Sequence, residues 1–147
     1  MIKSIATAGG IGYIGKGAGT AAAVAYCTIL FFLQASHTAL WQPLVLAAIL
    51  ITGVWSAGVL EKSWGHDSNK IVIDEVAGMM ITLLFIPVNL KYILTGLLLF
   101  RFFDIVKPLG IKKAERLPKG WGVMADDVLA GIYAHMLLRL IIASNIF

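Results

Sequence analysis

The chain has 147 residues, of which 59% are hydrophobic and 14% charged, with a formal net charge of +4 and a mean hydropathy of +0.87. This composition is far more apolar than that of an ordinary soluble domain, and it predicts a protein whose surface is solvated by lipid. The lone cysteine, Cys27, excludes an intrachain disulfide framework and a cysteine-ligated metal site. No linker or repeat interrupts the hydrophobic segments, so we expect a single domain over residues 1–147.

Five apolar segments of helical length follow one another along the chain. They cover residues 18–35, 44–60, 71–88, 91–106 and 124–146. All but the fourth approach or exceed the roughly 17 residues that a membrane-spanning helix needs. Pro43, Pro87 and Pro108 mark breaks between the segments. The pattern predicts an all-α, polytopic membrane helix bundle of about five hydrophobic helices, in which the short fourth segment is either spanning or re-entrant.

The basic residues predict the orientation of this bundle. Along a five-helix path, ten of the twelve Lys and Arg side chains fall on one side of the membrane, and only Lys91 and Arg139 fall on the other. By the positive-inside rule, the first side is the cytoplasm. Because these residues lie in short loops beside apolar segments, we interpret them as topology signals and expect no nucleic-acid partner. We expect a multi-pass protein of the bacterial cytoplasmic (inner) membrane.

The acidic residues fall on the same predicted side as the basic ones. Five of them lie within the hydrophobic segments, at Asp74, Glu75, Asp104, Asp126 and Asp127. Charges at headgroup depth are costly unless they face a protein interior or a wet cavity, which makes these acids candidates for a functional site at the cytoplasmic interface. Clustered carboxylates repel one another, so we expect a cation to hold them. Mg²⁺ fits best, because it takes hard oxygen ligands and accepts a substrate phosphate as a further ligand.

A glycine follows each acidic pair by about one helical turn. Gly78 lies four residues after Asp74, and Gly131 lies four residues after Asp127. A glycine at this spacing permits two helices to approach closely. We therefore predict that the two acidic pairs meet in the bundle.

Basic residues near the acids indicate a phosphate-binding surface. Arg101 and Lys107 flank Asp104 at three residues on either side, so the three side chains can share one face. We predict that Arg101 and Lys107 bind phosphate, and that Lys112 and Arg116 attract an anionic headgroup. The alternative is a set of structural ion pairs, although five acids exceed what two neighbouring cations neutralise.

The glycine-rich stretch at residues 10–17 matches a dinucleotide-binding pattern and nearly matches a Walker loop, but no strand precedes it, so we predict no nucleotide ligand. The same stretch, with Thr20, can present backbone N–H groups and a hydroxyl to a phosphate at the first helix N-terminus. His66, beside Asp67, can shuttle a proton. A solvated loop histidine is an equal alternative.

At these motifs the chain resembles the phosphatidylglycerophosphatase A family. The most specific matches are His66-Asp67, residues 71–75, Gly78, Phe100-Arg101, Asp104, Lys107, Pro108, Gly122, Met124, Asp126-Asp127, Ala130 and Gly131. The resemblance covers most of the chain and implies Mg²⁺-dependent removal of the terminal phosphate of phosphatidylglycerophosphate, giving phosphatidylglycerol in the pathway to cardiolipin. Two positions depart from the family pattern. Ala18 stands where the family has the proline of a Pro-Gly-Thr element, and Gly110 stands where a proline is frequent.

Several phosphatase chemistries lack their residues in this sequence, including the cysteine nucleophile followed by arginine and the Asp-x-Asp-x-Thr nucleophile. Attack by metal-activated water remains. In this hypothesis Asp74, Glu75, Asp126 and Asp127 are the catalytic acids, and together with Asp104 they bind the metal.

Two alternatives remain open. A small cation carrier also places carboxylates in the membrane, although it needs polar residues toward the other face. A CDP-alcohol phosphotransferase resembles this chain in metal, lipid and topology, but its paired Asp-Gly repeats are not present in the sequence.

Overall fold

The computed structural model is described for residues 1–33, 41–65, 68–108 and 110–145. Within these ranges every regular element is a helix: α1 (Ile2–Ala6), a 3₁₀ segment (Ala8–Ile14), α2 (Ala18–Leu33), α3 (Trp41–Trp64), α4 (Ile73–Thr82), α5 (Leu90–Val106), α6 (Ile111–Ala114) and α7 (Gly120–Ala143). The predicted all-α class is confirmed.

Four of the five predicted segments form long helices. α2 and α5 have 16 and 17 residues, while α3 and α7 have 24 each. The fourth predicted segment is the uninterrupted helix α5, which begins where the Asn89 side chain accepts a hydrogen bond from the Lys91 N–H at 2.9 Å. It ends at Lys107, which adopts the left-handed conformation with φ of 48°.

The third predicted segment forms a much shorter helix than its apolar run indicates. α4 covers ten residues, about 15 Å, although the run continues to Val88. Phe85 takes a φ of 56°, and the Ile86 N–H donates to the Leu83 carbonyl at 3.0 Å, so the chain turns before Pro87. The residue before a proline disfavours helical geometry, which explains why the helix does not resume there.

Within the described ranges, one helix, α3, is long and apolar enough to cross a membrane by length and composition. α2 is apolar but shorter. α7 has sufficient length, but it carries Asp126, Asp127 and Arg139. The outer surface of the bundle exposes many large apolar side chains, among them Ile51 and Leu98 at 71% and 73% exposure. Such a surface is typical of a protein that contacts an apolar medium or partner.

α7 is the central helix and contacts α3, α4 and α5. It crosses α4 at two glycines: a methyl group on Gly131 would collide with the Gly78 carbonyl, and one on Gly78 would lie 2.7 Å from the Asp127 carbonyl oxygen. The Thr82 hydroxyl donates to the Gly78 carbonyl at 2.9 Å. The predicted close approach of the two helices is confirmed.

His135 fastens α7 to the end of α4. Its Nδ1 lies 3.1 Å from the Thr82 carbonyl oxygen, and its Nε2 lies 2.8 Å from Arg139 Nε. Because a carbonyl oxygen only accepts, Nδ1 carries the ring hydrogen and Nε2 accepts from Arg139.

α3 approaches the start of α7 with similar closeness. A methyl group on Gly120 would collide with the Val54 carbonyl and would lie 2.7 Å from the Gly58 nitrogen. α7 is therefore held by close backbone contacts with α3 at Gly120 and with α4 at Gly131, which fixes the placement of its first turns.

We expect Gly131→Ala to lower the free energy of unfolding by about 1–3 kcal/mol, because the added methyl group forces α7 away from the Gly78 carbonyl. Thermal unfolding of the protein in detergent measures the change. Ile132→Ala, on the exposed surface of the same helix, is the matched control and should stay within about 0.5 kcal/mol of wild type. Wild-type unfolding of Gly131→Ala would contradict the crossing.

Candidate active site

Three carboxylates meet beside the crossing of α4 and α7. Asp74 and Glu75 lie in the first turn of α4, and Asp127 lies about two turns along α7. One oxygen atom from each carboxylate lies within 4.8 Å of the other two. Asp74 and Asp127 are buried, with 7% and 3% exposure, and Glu75 is partly buried. Asp127 of the second acidic pair is thus brought to both acids of the first, while Asp126 lies outside this group of three.

The first turn of α2 closes over this cluster. A methyl group on Gly19 would collide with the Glu75 carboxylate, so a residue with a side chain does not fit there without displacing the acid. α2, α4 and α7 therefore each contribute a residue to the same small volume.

Asp104 joins the cluster from α5. It forms an ion pair with Arg101, three residues earlier on the same helix. Its carboxyl group also lies close to that of Asp127. Asp104 therefore links a basic side chain to the buried acids.

Asp126 has a different environment from its neighbour Asp127. The Lys107 ammonium donates to Asp126 at 2.7 Å and lies 3.3 Å from Glu115. Burial lowers the pKa of Lys107, but the ion pairs with Asp126 and Glu115 raise it more, so the pKa lies above the usual range for lysine. Lys107 is therefore charged at neutral pH and neutralises Asp126, and its binding of phosphate stays a prediction.

The three clustered acids have no such basic partner. Among the ion pairs of the described residues, none includes Asp74, Glu75 or Asp127. Glu75 Oε2 is buried and accepts no hydrogen bond. Buried carboxylates at this separation repel one another, and an all-oxygen donor set of this kind suits a hard divalent cation. The residues present thus fit a metal ion, and Mg²⁺ is the predicted one.

A polar pocket of about 310 Å³ opens beside the cluster. It is lined by residues 15–19, Asn69, Glu75 and Arg101, so Lys16 is among its lining residues. Gly15 and Gly17 have φ of 93° and 86°, a left-handed conformation that glycine adopts without strain and that turns the chain into α2. Two basic residues thus line the same cavity as the partly buried Glu75, an arrangement suited to a phosphate bound next to a cation.

The predicted phosphate ligands fall into two groups. Arg101 lines the polar pocket. Thr20, Lys112 and Arg116 are exposed and lie outside its lining. The predicted proton shuttle, His66 and Asp67, lies outside the described residues.

Sequence reasoning misses two pocket residues, Lys16 and Asn69. The sequence does carry a signal for the first, because Lys16 stands between Gly15 and Gly17 directly before a helix. Asn69 has no comparable signal, since only the packing of its loop against α2 brings it to the pocket.

The chain is similar to known proteins over nearly its whole length. The family model described as Phosphatidylglycerophosphatase A matches residues 4–142. A Bacteroides thetaiotaomicron protein named "Putative phosphatidylinositol-3-phosphatase" is 41% identical over 141 residues, which are 91% of this chain and 89% of that protein.

Two further relatives are named Phosphatidylglycerophosphatase A. The Escherichia coli protein is 34% identical over 128 residues, covering 84% of this chain and 71% of its own. The Haemophilus influenzae protein is 51% identical over 71 residues, covering 47% and 44%. No solved structure shows significant similarity. The family match includes every residue of the carboxylate cluster and the polar pocket, and the chain belongs to the phosphatidylglycerophosphatase A family.

Proposed function

We propose that the chain hydrolyses the terminal phosphate monoester of phosphatidylglycerophosphate, giving phosphatidylglycerol and phosphate, with Mg²⁺ as its cofactor. The observation that carries this proposal is the group of three acids without a basic partner, opening onto a cavity with Lys16 and Arg101. Family membership supports phosphatidylglycerophosphatase as the enzyme activity.

Asp74, Glu75 and Asp127 would hold the ion, since their oxygens converge. When bound, Mg²⁺ supplies positive charge that lowers the pKa of a water molecule and offsets charge on the phosphoryl oxygens. Asp104, whose carboxyl group lies close to that of Asp127, would orient Asp127 in the way that outer carboxylates position metal ligands. Asp126, held by Lys107, would stabilise the same turn of α7.

The polar pocket binds the phosphate that is removed. Arg101 presents a planar guanidinium suited to two phosphoryl oxygens, and Lys16 adds a second positive charge. Asn69 contributes an uncharged hydrogen-bond donor. One carboxylate of the cluster would accept the proton of the attacking water as the water oxygen bonds to phosphorus. The bond between phosphorus and the glycerol oxygen breaks, and a proton from solvent completes the hydroxyl group of phosphatidylglycerol.

An apolar groove beside the pocket supports a lipid substrate. It lies between α2 and α5, has a volume of about 190 Å³ and is lined by Val24, Leu97 and other apolar side chains. Val24 is about one turn beyond the pocket residue Gly19 on α2, and Leu97 about one turn before Arg101 on α5. A molecule with its phosphate in the pocket can therefore lay an acyl chain in the groove.

We also propose that the chain is a multi-pass protein of the cytoplasmic membrane with the site facing the cytoplasm. The apolar outer surface supports its place in a bilayer. Gly19 in the first turn of α2 contacts Glu75 in the first turn of α4, and Gly58 near the end of α3 contacts the start of α7. Helix ends therefore meet near the site, which supports its location at one end of the bundle. Most of the Lys and Arg residues lie at this end by the predicted topology.

The Bacteroides relative gives a second candidate substrate, because its name refers to phosphatidylinositol 3-phosphate. Both lipids carry a phosphate monoester on the headgroup, so the same cluster can serve either. Comparing kcat/KM for the two lipids in mixed detergent micelles decides between them. Release of free phosphate also separates hydrolysis from a cation carrier, which releases none, and from a phosphotransferase, which forms a new lipid ester.

We expect phosphate release to require Mg²⁺, to stop with EDTA, and to fall about 100-fold or more in Asp127→Asn, because one charged oxygen donor leaves the cluster. Malachite green detection of phosphate from the purified protein measures this. Glu61→Gln, near the end of α3 and outside the cluster, is the control and should retain activity. Wild-type turnover by a folded Asp127→Asn would remove this residue from the site.

Lys16→Gln should raise the KM for the lipid substrate about 10-fold or more, because a charge-assisted hydrogen bond to phosphate is lost. The steady-state rate as a function of substrate mole fraction in micelles gives KM and kcat separately. Lys91→Gln makes the same charge change on an exposed residue at the start of α5 and should not alter KM. Equal values for the two variants would exclude Lys16 from substrate binding.

A further inference from the structure

A second surface of the bundle combines two lysines, two tryptophans and an apolar groove. Where α3 ends and α7 begins, a cleft of about 330 Å³ is lined by Trp55, Lys62, Lys119 and Trp121, with Gly58 at its base. We call it the lysine cleft. None of its lining residues belongs to the carboxylate cluster or the polar pocket.

The lysine cleft continues into an apolar groove of about 650 Å³ between α3 and α7. The two cavities share Val54 and Trp121, and the groove extends along Leu50 and Val128. From Trp121 to Val128 the helix rises about 10 Å. A ligand that fills both cavities therefore has a charged end and a hydrocarbon body.

The charge of the cleft favours an anion. Both lysines are exposed, and no carboxylate of the described residues forms an ion pair with either of them. The lining of the cleft and of the groove contains no acidic side chain. Trp55 and Trp121 are 49% and 62% exposed, and tryptophan is the residue type that concentrates at the headgroup level of bilayers.

The backbone at Lys119 gives an independent indication. Its φ of 58° and ψ of −155° lie in a region that residues other than glycine rarely adopt. The next residue, Gly120, is fixed against the Val54 carbonyl, which holds Lys119 in this conformation beside Lys62. A glycine would relieve the strain, so the presence of lysine points to a role for its side chain.

We propose that the lysine cleft and its groove bind an anionic phospholipid of the surrounding bilayer, with the phosphate between Lys62 and Lys119 and an acyl chain along α7. This lipid is bound apart from the substrate. The inference rests on the proposed function only in placing the helices in a bilayer.

The test measures quenching of tryptophan fluorescence in phosphatidylcholine vesicles that hold the full chain and either brominated phosphatidylserine or brominated phosphatidylcholine. Phosphatidylserine is neither substrate nor product of the proposed reaction. A contact of this kind contributes about fivefold in affinity for each lysine. We expect wild type to prefer phosphatidylserine about 25-fold, Lys62→Gln and Lys119→Gln to lose about fivefold each, and the double variant to lose the preference.

Two further variants make the result specific. Lys119→Gly removes the charge while relieving the backbone, so a loss of preference of about fivefold in this variant, at a thermal stability no lower than that of wild type, separates lipid binding from misfolding. Lys91→Gln makes the same change in net charge on an exposed residue outside the cleft and should keep the preference.

Equal quenching by the two lipids in wild type, an undiminished preference in the double variant, or the same loss in Lys91→Gln would each overturn the proposal. Equal quenching would point instead to a protein partner on this face. Phosphate release in detergent reports separately on the proposed function: the double variant should keep the wild-type rate, and a wild type that prefers the anionic lipid but releases no phosphate would overturn only the hydrolase proposal.

Discussion

The approach of two backbones at Gly78 and Gly131 is the contact on which the rest of the structure depends. With no side chain on either residue, α4 and α7 pack against each other's main chain, and the acids one turn away are drawn within a few ångströms. Larger residues would separate the helices and disperse the carboxylates. The small residues therefore fix the chemistry of the site as firmly as the acids do, because the distance between ligand oxygens is set by the distance between helix axes.

The acids of the site differ in whether a basic side chain neutralises their charge. Asp104 and Asp126 form ion pairs with Arg101 and Lys107, so the charge of these two outer acids is neutralised. The three inner acids have no cationic partner among the described residues. A hard divalent cation would balance the charge of such a group, and this division is the physical basis for proposing that the inner three acids hold the metal.

Local sequence patterns predict much of this site, and long-range packing accounts for what they miss. The meeting of Asp127 with Asp74 and Glu75 follows from the glycine spacing on two helices, and the all-α class follows from the apolar segments. The early end of α4 does not follow from the apolar pattern, because the residues of the turn at Phe85 are as hydrophobic as those of a helix. The spacing between Lys107 and Asp104 predicts that Lys107 binds phosphate. The ion pair of Lys107 with Glu115 is not predictable from local spacing, because Glu115 comes close only through the placement of α6. Asn69 reaches the pocket through loop packing alone.

The position of Asp74 and Glu75 in the first turn of α4 has an electrostatic consequence. The free N–H groups at the start of a helix carry a partial positive charge, and the aligned peptide dipoles of α4 direct it toward these two carboxylates. This field contributes on the order of 1 kcal/mol toward offsetting the repulsion between the two acids. The start of α4 thus acts as a built-in fractional counter-ion, whatever else neutralises the cluster.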